Sequence, residues 1–233
     1  MHPFLNQIWS DLLQLIYPAL CAGCPQALTA GEELLCTRCR MALPLTNQHL
    51  TDDPGPASKF AGKVPVVFVW SYLSFAKKGT AQRLIHQLKY NGKKEIGQIL
   101  GRWYGFDLMQ RPEPPMADLL ISVPLHSSRE RQRGYNQSEW ISLGLSEAMG
   151  IPHRKDVLRR TTFKASQTRK SRLERWKNVE TVFNVSEPQE LAGKRIILVD
   201  DVLTTGATLE ACTIELLRAG CASVGILTIA ATR

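Results

Sequence analysis

Hydrophobic positions recur in two spacings along the chain, and each spacing marks a kind of element. Short apolar runs predict strands at Val66–Phe75, Asp118–Pro124 (DLLISVP), Ile196–Val199 and Val224–Ala230. Helical spacing fills the intervals between them. Thr80–Tyr90 turns Leu84, Ile85 and Leu88 inward and stops at Asn91-Gly92. Ile96–Leu108 gives a second helix, broken by Arg111–Pro115, and Trp140–Met149 a third. Leu209, Cys212, Leu216 and Leu217 share a fourth helix face, closed by Gly220. Strands and helices alternating in this way predict an α/β domain.

Upstream of residue 66 the pattern changes. Phe4, Ile8, Leu12, Leu15 and Ile16 fit one face of a helix, expected to dock on the body rather than on a membrane surface. That stretch carries Asp11 and no basic leader, so it is too broken for a signal peptide and too short for a membrane span. Cys21-Ala22-Gly23-Cys24 follows, then eleven residues, then Cys36-Thr37-Arg38-Cys39. Two CxxC knuckles predict a tetrahedral thiolate site of the zinc-ribbon type, with a small hairpin between them. Cys21, Cys24, Cys36 and Cys39 supply all four ligands, so the expected zinc is structural. Disulfides compete with this reading but need an oxidising compartment that no leader indicates. A redox CxxC needs a βαβ context that this stretch lacks. Cys212 lies on the apolar face of its helix and reads as core. Thr46–Pro65, with Pro54, Gly55, Pro56 and Gly62, reads as a linker.

The length of 233 residues suits one ordinary domain with an appendage, and 44% hydrophobics suffice for a core. The net charge of +8 points to anionic partners. That excess is local: Arg154–Lys177 holds ten Lys/Arg against Asp156 and Glu174.

The candidate chemistry centres on Lys194–Arg218. Asp200 and Asp201 follow the apolar run, and Leu203-Thr204-Thr205-Gly206-Ala207-Thr208 leads into the fourth helix. A Gly-containing turn lets backbone N–H groups approach an anion at a helix N-terminus. Thr204, Thr205 and Thr208 add hydroxyl donors. No Walker lysine follows Gly206, which excludes a nucleotide P-loop. The two acids can accept from sugar hydroxyls or hold a divalent ion through water. A phosphate beside paired hydroxyls describes ribose 5-phosphate. A second cluster follows the DLLISVP strand, where Arg129, Arg131 and Arg133 open a loop suited to a polyanion.

Leu198–Leu209 resembles the signature of the type I phosphoribosyltransferases, which bind phosphoribosyl pyrophosphate (PRPP). The order of the four-Cys knuckle, LIHQLKY, VPL with RxRxRGYNQ, and VDDVLTTGAT resembles the ComF family (ComFC/GntX-like proteins) from about Cys21 onward. Tyr135 stands where several members carry Phe. The resemblance implies a type I phosphoribosyltransferase fold, a mostly parallel twisted sheet flanked by helices, with a small N-terminal zinc module. The expected division is 1–45 for the N-terminal helix and zinc module, 46–65 for a linker and 66–233 for the transferase domain. The implied roles are phosphate binding by Thr204, Thr205, Gly206, Ala207 and Thr208, and ribose binding by Asp200 and Asp201. Mg²⁺ would bridge ribose and pyrophosphate, and Lys89, Arg129, Arg131 and Arg133 would meet the pyrophosphate. The segment Arg159–Asn178 falls where the family has a mobile loop that closes over the ligand. Its charge suits a lid, or a single-stranded nucleic acid stacked on Phe163 and Trp176.

Two functions stay open at this level. One is a cytoplasmic PRPP-dependent transferase linked to natural competence and incoming single-stranded DNA, with its acceptor held by a variable hood that the sequence does not identify. The other is a non-catalytic PRPP sensor or single-stranded nucleic-acid adaptor. Competence helicases and recombination mediators are partners that the resemblance implies.

Overall fold

The computed structural model describes residues 18–51, 54–160 and 183–232. The docking helix expected before residue 17 and most of the basic stretch 159–178 lie outside the described residues.

In chain order the elements are α1 (Thr37–Met41), β1 (Val69–Phe75), α2 (Thr80–Tyr90), α3 (Glu95–Met109), β2 (Leu119–Ser122), α4 (Ser127–Arg133), α5 (Gln137–Met149) and β3 (His153–Arg154). They continue with β4 (Leu158–Arg160), β5 (Phe183–Val185), β6 (Arg195–Leu203), α6 (Ala207–Arg218) and β7 (Ser223–Thr232). The sheet runs β1-β7-β6-β2-β3, and every pairing within it is parallel. β4 and β5 form a separate antiparallel pair.

β6 is central and covered on both faces, so Ile196, Ile197, Leu198 and Val199 are all buried. The apolar run predicted there is four residues long, but the strand continues through Asp200 and Asp201 to Leu203. At its start Asp118 clamps it to the entrance of β2: the Arg195 guanidinium reaches both carboxylate oxygens, at 2.9 and 3.2 Å. α2, α3 and α5 cover one face of the sheet through Leu84, Leu88, Leu100 and Leu145. α6 covers the other through Leu209, Cys212 and Leu216.

α3 and α5 approach each other closely because small residues line their seam. A Cβ on Gly101 would stand 2.3 Å from the Ile141 carbonyl oxygen, and one on Gly144 would stand 1.9 Å from that of Gln98. Gly97, Gly101 and Gly105 recur every fourth residue, which puts them on one side of α3.

The stretch expected as a linker is packed against the body. Leu45 bridges Leu73 of β1, Thr46 N–H donates to the Tyr72 carbonyl at 2.9 Å, and Ser71 N–H donates to Gln48 Oε1 at 2.9 Å. Ala57–Phe60 makes one 3₁₀ turn, and Phe60 is 1% exposed. Leu43 belongs to the core on the α3 side of the sheet and Phe60 to the core on the α6 side. Between them the chain crosses the C-terminal edge of the sheet. Lys59 fastens that crossing by donating to the Thr204 carbonyl at 2.6 Å and the Thr232 carbonyl at 3.3 Å.

Candidate functional site

The C-terminal edge of a parallel sheet is where α/β proteins gather their chemistry. Here β6 delivers Asp200 and Asp201 to that edge, and the chain then turns through Thr204–Gly206 into α6. Gly206 has φ +84°, a left-handed conformation that a side chain would resist. It is also the N-cap, and having no side chain it supplies no cap; Thr205 Oγ1 accepts from Ala207 N–H at a long 3.5 Å. The first-turn N–H groups of α6 thus face the loop beside the exposed Thr204, Thr205 and Thr208. Asp200 and residues 204–208 line one small cavity of about 50 Å³.

The two acids do not both face solvent, as adjacent acids beyond a strand would. They lie within the strand and point to opposite sides. Asp201 is 9% exposed and pairs with Lys89, whose ammonium lies 2.9 Å from its Oδ2. Lys89 was expected at the pyrophosphate; the last turn of α2 instead brings it onto the acid. Asp200 Oδ1 accepts from the Ser138 hydroxyl at 2.9 Å and from the Asp201 N–H at 2.8 Å. Burial, followed by the Asp201 charge, pushes its carboxyl up to about 7.

The arginine cluster is a helix rather than a loop. His126 Nδ1 accepts from Ser128 N–H at 3.2 Å to start α4, and Gly134 at φ +79° ends it. Helical geometry puts Arg129 and Arg133 on one face and turns Arg131 about 200° from Arg129. Arg133 donates to Gln137 Oε1 at 2.6 Å and sits 5.2 Å over the Tyr90 ring. Arg129 and Arg131 are exposed, and no contact joins them to the acids among the described residues.

The structure adds residues that the sequence reading passed over. Tyr135 donates its hydroxyl to the Leu88 carbonyl, which ties RGYNQ to LIHQLKY beside Lys89. Asn136 caps α5 by accepting from Ser138 N–H at 3.1 Å, and its Nδ2 donates to the Val123 carbonyl at 3.0 Å. This cap is what aims Ser138 at Asp200. The signal was present as Asn-x-Ser before a helix, a capping pattern.

The thiolate cluster forms as predicted. The four Sγ atoms of Cys21, Cys24, Cys36 and Cys39 lie within 4.8 Å of one another, and Cys24 and Cys36 are 3.7 Å apart. Tetrahedral bonds of about 2.3 Å require sulfurs about 3.8 Å apart, so the donor set fits zinc. Burial raises the Cys21 thiol, but N–H donors from Cys36, Gly23 and Cys24 together outweigh it and hold the group at about 7. Burial and the neighbouring sulfurs push Cys39 up to about 12. A cation inside the cluster would favour the thiolate at all four positions. The module is joined to the body: Gln87 of α2 donates to the Ala22 carbonyl at 2.7 Å.

A parallel sheet carrying an acid pair and a threonine-lined turn into a helix at its C-terminal edge is the architecture of an α/β protein whose site lies at that edge. Residues 114–233 match the phosphoribosyl transferase domain model. Over 221 residues the chain is 31% identical to DNA utilization protein YhgH of Shigella flexneri, covering 92% of this chain and 91% of that one. Competence protein F of Haemophilus influenzae is 26% identical over 206 residues, 85% of this chain and 84% of the relative. Competence protein ComFC of Bacillus subtilis is 35% identical over 126 residues, 54% of this chain and 49% of the relative. The chain belongs to the phosphoribosyl transferase domain family and, within it, to the ComF type. No helix among the described residues is long and apolar enough to cross a membrane.

Proposed function

We propose that the protein binds Mg-PRPP at the C-terminal ends of β6 and β2 and transfers its phosphoribosyl group, in a cytoplasmic role linked to competence and the use of incoming DNA. The N-terminus of α6, which its N-cap Gly206 leaves open close after the Asp200–Asp201 pair, carries the reading. The 5-phosphate takes the N–H groups of residues 206–208 and the hydroxyls of Thr204, Thr205 and Thr208. Asp200 and Asp201 take the ribose hydroxyls, with Lys89 fixing Asp201. Arg129 and Arg133 would meet the pyrophosphate, and a Mg²⁺ bound with the ligand would supply further positive charge there. Positive charge develops at the ribose C1 as the pyrophosphate leaves, so orientation and electrostatics supply the acceleration. Cys21, Cys24, Cys36 and Cys39 hold a structural zinc. The relatives named for DNA utilization and competence supply the cellular setting.

Calorimetry with Mg-PRPP tests the site. Thr205→Val removes one hydrogen bond to a charged group and should weaken binding by about 1.5–3 kcal/mol. Unchanged affinity would refute the phosphate assignment. Pyrophosphate release in the presence of added acceptors separates turnover from sensing.

A second reading is favoured by two cation–ring pairs, one between α2 and α4 and one between the start of α3 and α5. Tyr90 is 62% exposed beneath Arg133, and Lys94 lies 4.4 Å over the Trp140 ring. An exposed Tyr90 and a half-buried Trp140, each under a cation, suit single-stranded nucleic acid held without catalysis. PRPP binding without release of pyrophosphate, together with salt-sensitive binding of single strands, would select that reading.

A further inference from the structure

The Thr204–Thr208 loop is held by a segment that lies well before the matched transferase residues 114–233. Side chains from the 3₁₀ turn at Ala57–Phe60 and from Lys63 just after it reach the loop and its helix. Lys59 Nζ donates to the Thr204 carbonyl at 2.6 Å and to the Thr232 carbonyl, at the end of β7, at 3.3 Å. The Phe60 ring packs on Gly206, where a Cβ would stand 3.1 Å from its Cζ. Lys63 pairs with Glu210 in the first turn of α6 at 3.5 Å. Phe60 is buried and gives Lys59 a fixed base, whereas the Lys63–Glu210 pair is open to solvent and adds little.

The Lys59 contact acts on the far side of the loop through the peptide plane. In a planar trans peptide the C=O and the N–H point in opposite directions. No peptide among the described residues is cis, so a Thr204 carbonyl fixed on Lys59 turns the Thr205 N–H away from it. Among the described residues that N–H meets no acceptor. Thr204 and Thr205 line the small cavity with Asp200, whereas Lys59 lines a separate one with Pro56 and Thr232. A loop that seats an anion sends its N–H groups one way and its carbonyls the other.

We propose that Lys59 is a positioning residue for the 5-phosphate: it holds the Thr204–Thr205 peptide so that Thr205 N–H joins the donors of residues 206–208, on a base supplied by Phe60. The inference rests on the phosphate assignment above and extends the seat to residues outside the matched domain. Without Lys59 the peptide rotates beside Gly206, a residue with wide conformational freedom, and a carbonyl turned into the seat repels the anion. Lys59 does not touch the phosphate. Its effect therefore falls on ligands that carry the 5-phosphate and spares one bound through pyrophosphate alone.

The test is calorimetry on the full chain with ribose 5-phosphate, Mg-PRPP and Mg-pyrophosphate. Lys59→Met removes the donors and keeps the apolar stem. It should weaken ribose 5-phosphate and Mg-PRPP by the same factor, about ten-fold, as for the loss of one hydrogen bond to a charged group. Mg-pyrophosphate should stay within about two-fold. Lys59→Arg keeps a cation with donors and should hold all three ligands within about three-fold of the wild type. The Thr205 amide gives a direct reading by NMR. Its proton should move downfield when ribose 5-phosphate is added to the wild type or to Lys59→Arg, and stay in place in Lys59→Met. A general loss of stability would neither single out that amide nor spare Mg-pyrophosphate. The brace is overturned, with the phosphate site left standing, by wild-type affinity in Lys59→Met, by equal losses for all three ligands, by an arginine variant as weak as the methionine one, or by a Thr205 amide that ignores a bound ligand. A wild-type protein that binds neither ribose 5-phosphate nor Mg-PRPP overturns the phosphate assignment and the brace together.

Discussion

Asp200 accepts two hydrogen bonds on one oxygen and still carries a carboxyl raised to about 7. An unfolded aspartate ionises near pH 3.9 (about). Between about pH 4 and 7 the unfolded chain releases a proton that the folded chain keeps, so this group lowers stability as pH rises through that window. Asp200→Asn should therefore melt above the wild type at about pH 8, with the gap closing toward pH 4. Parallel pH profiles for the two proteins would remove the assignment. The ionised form is the one that receives ribose hydroxyls, so wild-type affinity for Mg-PRPP should climb through neutral pH. The arginines divide by helical face. Arg129→Ala should weaken Mg-PRPP several-fold, whereas Arg131→Ala should leave its affinity within about two-fold, because Arg131 sits on the other side of α4. Equal losses in the two variants, read by calorimetry, would mean that the helix does not present one face to the ligand.

At the scale of elements, the α3–α5 seam sets where Ser138 stands, because α5 carries both that residue and the seam glycine Gly144. A Cβ there meets backbone on the neighbouring helix, which cannot swing aside. Gly144→Ala should cost about 1–3 kcal/mol in urea unfolding, the usual range for overpacking. It should also weaken Mg-PRPP through Ser138 and Asp200, and a variant as stable as the wild type would show that the helices can part cheaply. The hydrophobic pattern gave α2 at its observed bounds and placed β2, β6, α6 and β7 within a few residues, because buried strands and amphipathic helices write their burial into composition. Asp200 and Asp201 read as lying beyond β6, since polar residues interrupt the apolar run; strand pairing with β7 and the Lys89 partner carry the strand past them. α4 read as a loop because three arginines show no apolar period, and its helix depends on the His126 cap and Gly134. Ser138 and Lys59 were invisible as site residues: each acts on a partner 62 and 145 residues away in sequence. The glycine repeat of α3 was legible at four-residue spacing and meaningful only once α5 was opposite it.

Across the whole molecule, the thiolate module and the ligand edge share α2. Gln87 holds the Ala22 carbonyl, and two residues later Lys89 holds Asp201. Cys21, Leu35 and Cys36 are buried in the same core as Leu84 and Leu88. We expect metal analysis to give one zinc per chain, and chelation or Cys24→Ser to lower the melting temperature of the whole protein in a single transition. Mg-PRPP affinity should fall with the zinc. A module that melts separately while Mg-PRPP affinity stays constant would show that the shared helix does not transmit the loss.

The short β4–β5 ladder has a consequence for how such chains diversify. Arg160 faces Phe183 and Leu158 faces Val185, so the two described ends stand at neighbouring points. Closing a loop between ends already held together depends weakly on its length: doubling it costs about 0.6 kcal/mol. A change in the number of residues joining those two ends thus costs little closure entropy and leaves the β4–β5 register to its own pairs. A single insertion within Leu119–Ser122 would slide β2 against β6 and turn its buried side chains to the wrong face. The 160–183 junction is accordingly the natural splice point for chimaeras between relatives, and for a genetically encoded reporter whose emission follows what binds at the sheet edge.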